Sequence, residues 1–231
     1  AATVSLLAQG RFFLGLGTGE ALNEHITGAR WPRPEIRRSM LEEAIDVIRA
    51  LWTGETVDYL GEHFEVENAR LFDAPSVTPP IIVSGFGDES VALAARAGDG
   101  YWGHAPSRET IERYEANGGT GPRYAQIDLC WAEDVATARK TVLERWPNAG
   151  LQGQLSQDLP TWTHFEQATR LVREDDIVEK IACGPDVHRV VDDVRAHLDA
   201  GYDHLYFHQI GPDQDGFFRF WLDGLRPAVS E

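Results

Sequence analysis

Short apolar runs alternate with longer amphipathic stretches along most of the chain. Residues 11–17 read as a buried strand that ends in glycines. A helix is predicted over 36–52. Ile36, Met40, Leu41, Ala44, Ile45, Ile48, Leu51 and Trp52 recur there on one face, and Gly54 stops it. Residues 57–66 read as a hairpin with Gly61 at its turn. The next buried strand, 80–84, breaks at Gly85-Phe86-Gly87 and leads into a helix over 89–97. A short strand at 100–104 precedes a helix from Ser107. A strand at 126–131 precedes a helix over 134–146, with Asp134 as its N-cap. Residues 177–181 and 187–200 read as helices, Gly201 capping the second. The last strand is 204–210 and the last helix 217–225. Residues 147–171 carry the poorest pattern and are expected to be an insertion.

Strands followed by helices imply parallel pairing through right-handed crossovers. Five strand units are predicted. Two architectures satisfy them: an open five-stranded sheet, or a barrel whose first strands are missing. A complete barrel takes about 250 residues before insertions. Five units are too few for eight, so both architectures stay open within one domain over 1–231, and a barrel would be an incomplete one. Its first strand would then present an open edge, which favours a homo-oligomer.

Composition narrows the partners. Asp plus Glu number 37 against 21 Lys plus Arg, a net charge of −16. Such a surface repels nucleic acid and anionic membranes. No run approaches a membrane span and no signal-peptide pattern opens the chain, so a cytoplasmic protein acting on a small molecule is expected. Lysine occurs only at 140 and 180. A high-salt cytosol and a GC-rich genome both account for that balance. Cys130 and Cys183 stand in apolar surroundings and read as two buried thiols. His204 and His208 share the last strand. At that spacing on a strand, one polar and one packed residue are expected rather than a metal pair, and no metal site is predicted. Trp31, Trp102, Trp131 and Phe86 are expected mainly to pack.

Two loops can carry chemistry. Gly15-Leu16-Gly17-Thr18-Gly19-Glu20 follows a strand, where glycines admit close approach of a flat ligand or a phosphate. It is neither a G-x-G-x-x-G fingerprint nor a P-loop. Glu20 sits where barrel enzymes place catalytic groups, although a solvated or helix-capping glutamate fits the same pattern. Ser84-Gly85-Phe86-Gly87-Asp88 joins a strand to a helix N-terminus, which suits either phosphate binding or plain capping.

The run G-R-F-F-L-G-L-G-T-G-E-A-L-N-E-H (10–25) resembles the signature loop of the deazaflavin (coenzyme F-420)-dependent glucose-6-phosphate dehydrogenase branch of the luciferase-like family. L-W-T-G-E (51–55), D-Y-L-G-E-H-F (58–64), R-A-G-D-G (96–100) and D-A-G-Y-D-H-L-Y-F-H (199–208) agree in order. The resemblance implies a (β/α)8 TIM barrel of the luciferase-like type, incomplete in this chain, with 1–231 as a single domain, its C-terminal two-thirds. It implies coenzyme F-420 as cofactor and hydride transfer to or from an alcohol or sugar-like substrate. It makes Glu20 the catalytic glutamate beside the ring, Thr18 and Asn23 cofactor-side neighbours, and Gly85 and Gly87 holders of the phosphate tail. Phe86, Asp88 and Glu89 depart from the pattern. The family's early-strand Asp-His pair and Trp have no counterpart here, and Ile181 and residues 152–154 offer no cation for a sugar phosphate. Glucose-6-phosphate is therefore expected to be a poor substrate. FMN with luciferase-type oxygenation, and a chain without catalytic activity, are the alternatives.

Overall fold

The computed structural model describes residues 1–229. In chain order the elements are α1 (Ala2–Ala8), β1 (Leu14–Leu16), α2 (Ala21–Glu24), α3 (Pro34–Trp52), β2 (Val57–Leu60), β3 (Glu65–Ala69), β4 (Ile81–Ser84), α4 (Asp88–Ala97), β5 (Gly100–Gly103), α5 (Arg108–Ala116) and β6 (Arg123–Cys130). Then come α6 (Val135–Arg145), α7 (Leu155–Asp158), α8 (Trp162–Thr169), α9 (Glu174–Val178), β7 (Ala182–Cys183), α10 (Val187–Ala200), β8 (His204–Gln209), α11 (Gln214–Phe220) and α12 (Arg226–Val229). No described helix is long and apolar enough to cross a membrane. The chain divides into two compact units, residues 1–18, 32–103 and 109–124 in the first, and 19–31, 104–108 and 125–231 in the second.

In the first unit β1, β4 and β5 pair in parallel, Leu14 opposite Ile81 and Val83 opposite Tyr101. Ile81, Ile82 and Val83 are all buried, as expected of a strand covered on both faces. Helix α3 turns Leu41, Ile45 and Trp52 inward. The expected apolar face is corrected at its start: Ile36 is exposed and Arg37 is buried, its guanidinium donating to the Pro32 carbonyl at 3.2 Å. Charged groups tie the helices together. Arg96 forks onto Glu42 through two 2.8 Å bonds. Arg49 reaches Asp99, whose second oxygen accepts the Ile81 N–H.

The β2–β3 hairpin is antiparallel. Its tip is held by Glu43 of α3, whose carboxylate accepts the N–H groups of Glu62, His63 and Phe64. Gly61 is needed for that approach, because a Cβ there would overlap the Glu43 carboxylate.

In the second unit β6 pairs in parallel with β7, Leu129 opposite Ala182 and Cys130 opposite Cys183, and β8 also pairs with β6. β7 is an addition to the five strands predicted: a two-residue strand between helices has too little sequence for a period to show. One core cluster gathers Leu129, Val190, Val191, Phe217 and Leu225; another gathers Cys130, Val142, Ile177, Ile181 and Ile210. Both cysteines are free; Cys130 is buried and Cys183 half-buried. Asp134 caps α6 as predicted, accepting the Thr137 N–H at 2.8 Å. Residues 147–171 hold a 3-10 turn (Pro147–Gly150) followed by α7 and α8, more helix than their pattern suggests.

Candidate active site

Glu20 stands at the head of α2 with extended backbone (φ −137°, ψ 141°), reached through Gly19 at φ +78°, a left-handed turn that glycine adopts without strain. Its carbonyl accepts the N–H groups of Asn23 and Glu24. Its carboxylate makes no capping bond, so the capping role considered for it is not the one the side chain plays. The Asn23 side-chain amide instead donates to Glu20 Oε2 at 3.4 Å. The exposed carboxylate forms part of the wall of a cavity of about 360 Å³, with Leu22, Asn148, Trp162 and Phe165. Two aromatic faces beside a carboxylate suit a flat, partly apolar ligand. The 147–171 stretch thus supplies most of the wall opposite α2.

The glycines expected at a phosphate tail lie in the first unit, as does Thr18. Gly85 has a packing reason of its own: a Cβ would overlap Ser90, and its carbonyl accepts the Tyr101 hydroxyl at 2.8 Å. Gly87 opens α4 with free space beside it, and Asp88 next to it pairs with Arg113. The open space lies on the Gly87 side of this turn, where an anion could approach the backbone.

A second group of polar side chains, in the second unit, was not predicted. Asp128 of β6 has only 7% of its side chain exposed, yet three donors surround it. His208 Nδ1 and Gln126 Nε2 each reach Oδ1 at 2.8 Å, and His104 Nε2 lies 3.3 Å from Oδ2. Burial alone pushes an aspartate up, but the bonds from His104, His208 and Gln126 outweigh it and hold this carboxyl at about 2. The hydrogen bond to Asp128 in turn raises His104 above its ordinary value, against the opposing effect of burial. His104, Gln126 and Asp128, together with Lys180, Asp193 and His197, line a cavity of about 430 Å³, within the size range of small-molecule sites. His197 fastens the loop after β5: its ring nitrogens lie 2.7 Å from the Asp193 carbonyl and 3.0 Å from the His104 carbonyl. The Pro147–Gly150 turn borders both cavities, Asn148 facing the first and Ala149 the second.

A signal for this group does exist in the sequence. Gln126 and Asp128 alternate with Ile127 and Leu129, so an ionisable residue falls within a buried strand. His208, expected to be either polar or packed, is both: it bonds Asp128 and packs its ring edge-on against Trp146. The aromatic residues mostly pack as expected. Trp102 stacks with Tyr124, Trp131 lies against Phe220, and Trp31 donates to Asp158, whereas Phe86 is exposed. Among the described residues no three His, Cys, Asp or Glu side chains are grouped to hold a metal ion.

The luciferase-like monooxygenase family matches residues 1–204. An F420-dependent glucose-6-phosphate dehydrogenase of Segniliparus rotundus is 31% identical over 242 residues, covering 99% of this chain and 72% of its own length. One of Nakamurella multipartita is 32% identical over 256 residues, covering 99% of this chain and 71% of its own. Among solved structures, an F420-dependent secondary alcohol dehydrogenase in complex with an F420-acetone adduct superposes with a TM-score of 0.87 at 25% identity. It covers 100% of this chain and 73% of that one. A coenzyme F420 dependent tetrahydromethanopterin reductase from Methanopyrus kandleri reaches 0.73 at 20% identity over 99% of this chain and 77% of its own, a likeness of fold. The βα units are those of a luciferase-like (β/α)8 barrel, of which the chain carries an incomplete set.

Proposed function

We propose, for a chain that belongs to the luciferase-like monooxygenase family, that it is a coenzyme F-420-dependent oxidoreductase moving a hydride between the cofactor and an alcohol or sugar-like substrate. The observation that carries this reading is the likeness over essentially the whole chain to F420-dependent dehydrogenases, in sequence and in structure. The alternative, oxygenation with FMN, has the family description behind it but weaker support among these relatives.

When bound, a deazaflavin supplies the hydride-accepting and hydride-donating carbon. The residues present fit such a group. Trp162 and Phe165 give apolar surface for a ring. Glu20 presents an exposed carboxylate able to exchange a proton, and Asn23 orients it through the 3.4 Å bond. We assign Thr18 and Asn23 to the cofactor side, and Gly85 and Gly87 to its phosphate tail. The support for these roles is the match of the two loops to the family, together with the open space at Gly87. The substrate is a neutral alcohol or polyol rather than glucose-6-phosphate, since a dianionic ester is held best by cationic donors and Ile181 and residues 152–154 bring no cation. We further assign the protein to the cytoplasm and to a homo-oligomer.

Titration followed by deazaflavin fluorescence tests the cofactor, and steady-state rates with simple secondary alcohols against glucose-6-phosphate test the substrate. Expected are micromolar deazaflavin binding and faster turnover of the alcohols. FMN binding without deazaflavin binding would overturn the cofactor, and a higher rate with glucose-6-phosphate the substrate.

A further inference from the structure

Two thiols meet across neighbouring strands of the second unit. Cys130 ends β6 and Cys183 ends β7, and they are register partners in a parallel pair. We infer that they form a reversible redox pair: a hydroperoxide joins them as a disulfide, which staples the segment between them, and a dithiol releases it. The chain holds no other cysteine, so the pair has no competing partner within it. In a reducing compartment a disulfide of this kind is transient, a sensor rather than a permanent brace.

Register partners on neighbouring strands stand about 4.8 Å apart, inside the window of about 4.4–6.8 Å between the Cα atoms of disulfides. Their side chains leave the sheet on the same face. Cys130 belongs to the core cluster of Val142, Ile177 and Ile181, and Cys183 packs against that same cluster. Leu129 and Ala182, one position earlier on each strand, serve the other cluster. The Gly184 N–H donates to the Cys130 carbonyl at 2.9 Å, so the two backbones are already fastened side by side. Rotation about each Cα–Cβ bond is the movement left for the sulfurs to make.

Exposure orders the two steps. Cys130 is buried and Cys183 half-buried, so an oxidant meets Cys183 first. Burial pushes the Cys183 thiol up and Glu174 of α9 adds to the rise, while Arg139 of α6 and Arg189 of α10 pull it back. Burial carries Cys130 to about 11, with Cys183 adding and Arg145 opposing. Both thiols are therefore mostly protonated at neutral pH, and the pair answers sustained rather than brief exposure to oxidant. With hydrogen peroxide, the Cys183 sulfur attacks one peroxide oxygen and the O–O bond breaks. A sulfenic acid forms, and the departing hydroxide leaves as water with the thiol proton. The Cys130 sulfur then attacks the sulfenic sulfur; the S–S bond forms, the S–O bond breaks and a second water leaves with the Cys130 proton. The two thiols are oxidised and the peroxide is reduced to two waters. Residues 131–182, which the bond encloses, hold α6–α9 and the Pro147–Gly150 turn. They carry Trp162 and Phe165 of the first cavity and Ala149 and Lys180 of the second, so the disulfide fastens both ends of a segment that walls both.

Peptide mapping of the full chain tests the bond. The native protein is treated with hydrogen peroxide, the oxidant is removed with catalase, and remaining thiols are alkylated in urea without reductant. Expected are no alkylated cysteine, a cross-linked peptide joining Cys130 to Cys183 of one chain, and recovery of both thiols with dithiothreitol. Two free thiols, a sulfinic or sulfonic acid at Cys183 without the cross-link, or a disulfide formed only between chains overturns the inference. Urea unfolding tests the staple. The midpoint of the oxidised wild type should exceed that of the reduced protein, because the cross-link restricts the unfolded chain. Peroxide should not raise the midpoint of Cys183→Ser, a change at the half-buried partner that leaves buried Cys130 in place. An equal or lower midpoint in oxidised wild type, or the same rise in Cys183→Ser through oxidation of Met40, overturns the staple. Neither readout involves a cofactor, so both stand apart from the hydride-transfer reading.

Discussion

At the scale of single residues, the site divides into groups that a motif reveals and groups that only a fold assembles. Glu20 and Asn23 sit three positions apart in a glycine-rich loop, and the structure keeps them together through a direct hydrogen bond. Because the Glu20 carboxylate caps nothing, replacing it should affect chemistry more than folding. Glu20→Gln keeps size and hydrogen-bonding reach but loses the titrating proton. Turnover is expected to fall by roughly 10²–10⁴-fold, with deazaflavin affinity little changed. An unaltered single-turnover rate and pH profile in this variant would remove Glu20 from the mechanism. His104, Asp128 and His208 are spread over 104 positions of chain, and no local spacing announces them. The local hint was the polar pair Gln126 and Asp128 on one face of a buried strand. Its meaning appears only when two histidines arrive from other elements to satisfy the charge.

At the scale of elements, periodicity served long segments well and short ones poorly. Helix α10 spans 187–200 as its pattern predicts, with Gly201 ending it at φ 109°. The Gly201 N–H reaches the His197 and Leu198 carbonyls, and the Tyr202 N–H also reaches the His197 carbonyl, so the turn closes the helix just where His197 secures the loop of His104. Gly201→Ala forces a Cβ into the left-handed region. Stability should drop by about 1–2 kcal/mol. Urea unfolding with an unchanged m-value should show it as a lower midpoint; an equal midpoint would mean the turn relaxes freely. β7 escaped prediction because two residues carry no period; its place comes from pairing with Leu129 and Cys130. The buried Arg37 escaped for a related reason: a hydropathy pattern ranks it outside, and a carbonyl acceptor at Pro32 lets it stay inside.

At the scale of the whole molecule, the net charge of −16 acts on every element at once. Much of it is exposed carboxylate, so self-repulsion should weaken the folded state at low ionic strength and fade as the Debye length shrinks from about 30 Å at 0.01 M salt to about 3 Å at 1 M. The melting temperature should therefore rise with sodium chloride across that range. A flat or falling curve would mean that local ion pairs such as Arg96–Glu42 and Arg123–Glu115 already balance the charge. The sequence by itself determined the alternation of strands and helices, the family to which it belongs and the loop that carries Glu20. Each of these is written in neighbouring residues, through a period of two or 3.6 or through a contiguous motif. The tertiary structure alone decided that Asp128 would be a buried, ionised carboxylate flanked by two histidines, that residues 147–171 would wall two cavities, and that a two-residue strand would form. Those outcomes depend on groups far apart in the chain meeting in a water-poor interior, where an unpaired charge is costly and a thrice-bonded one is stable.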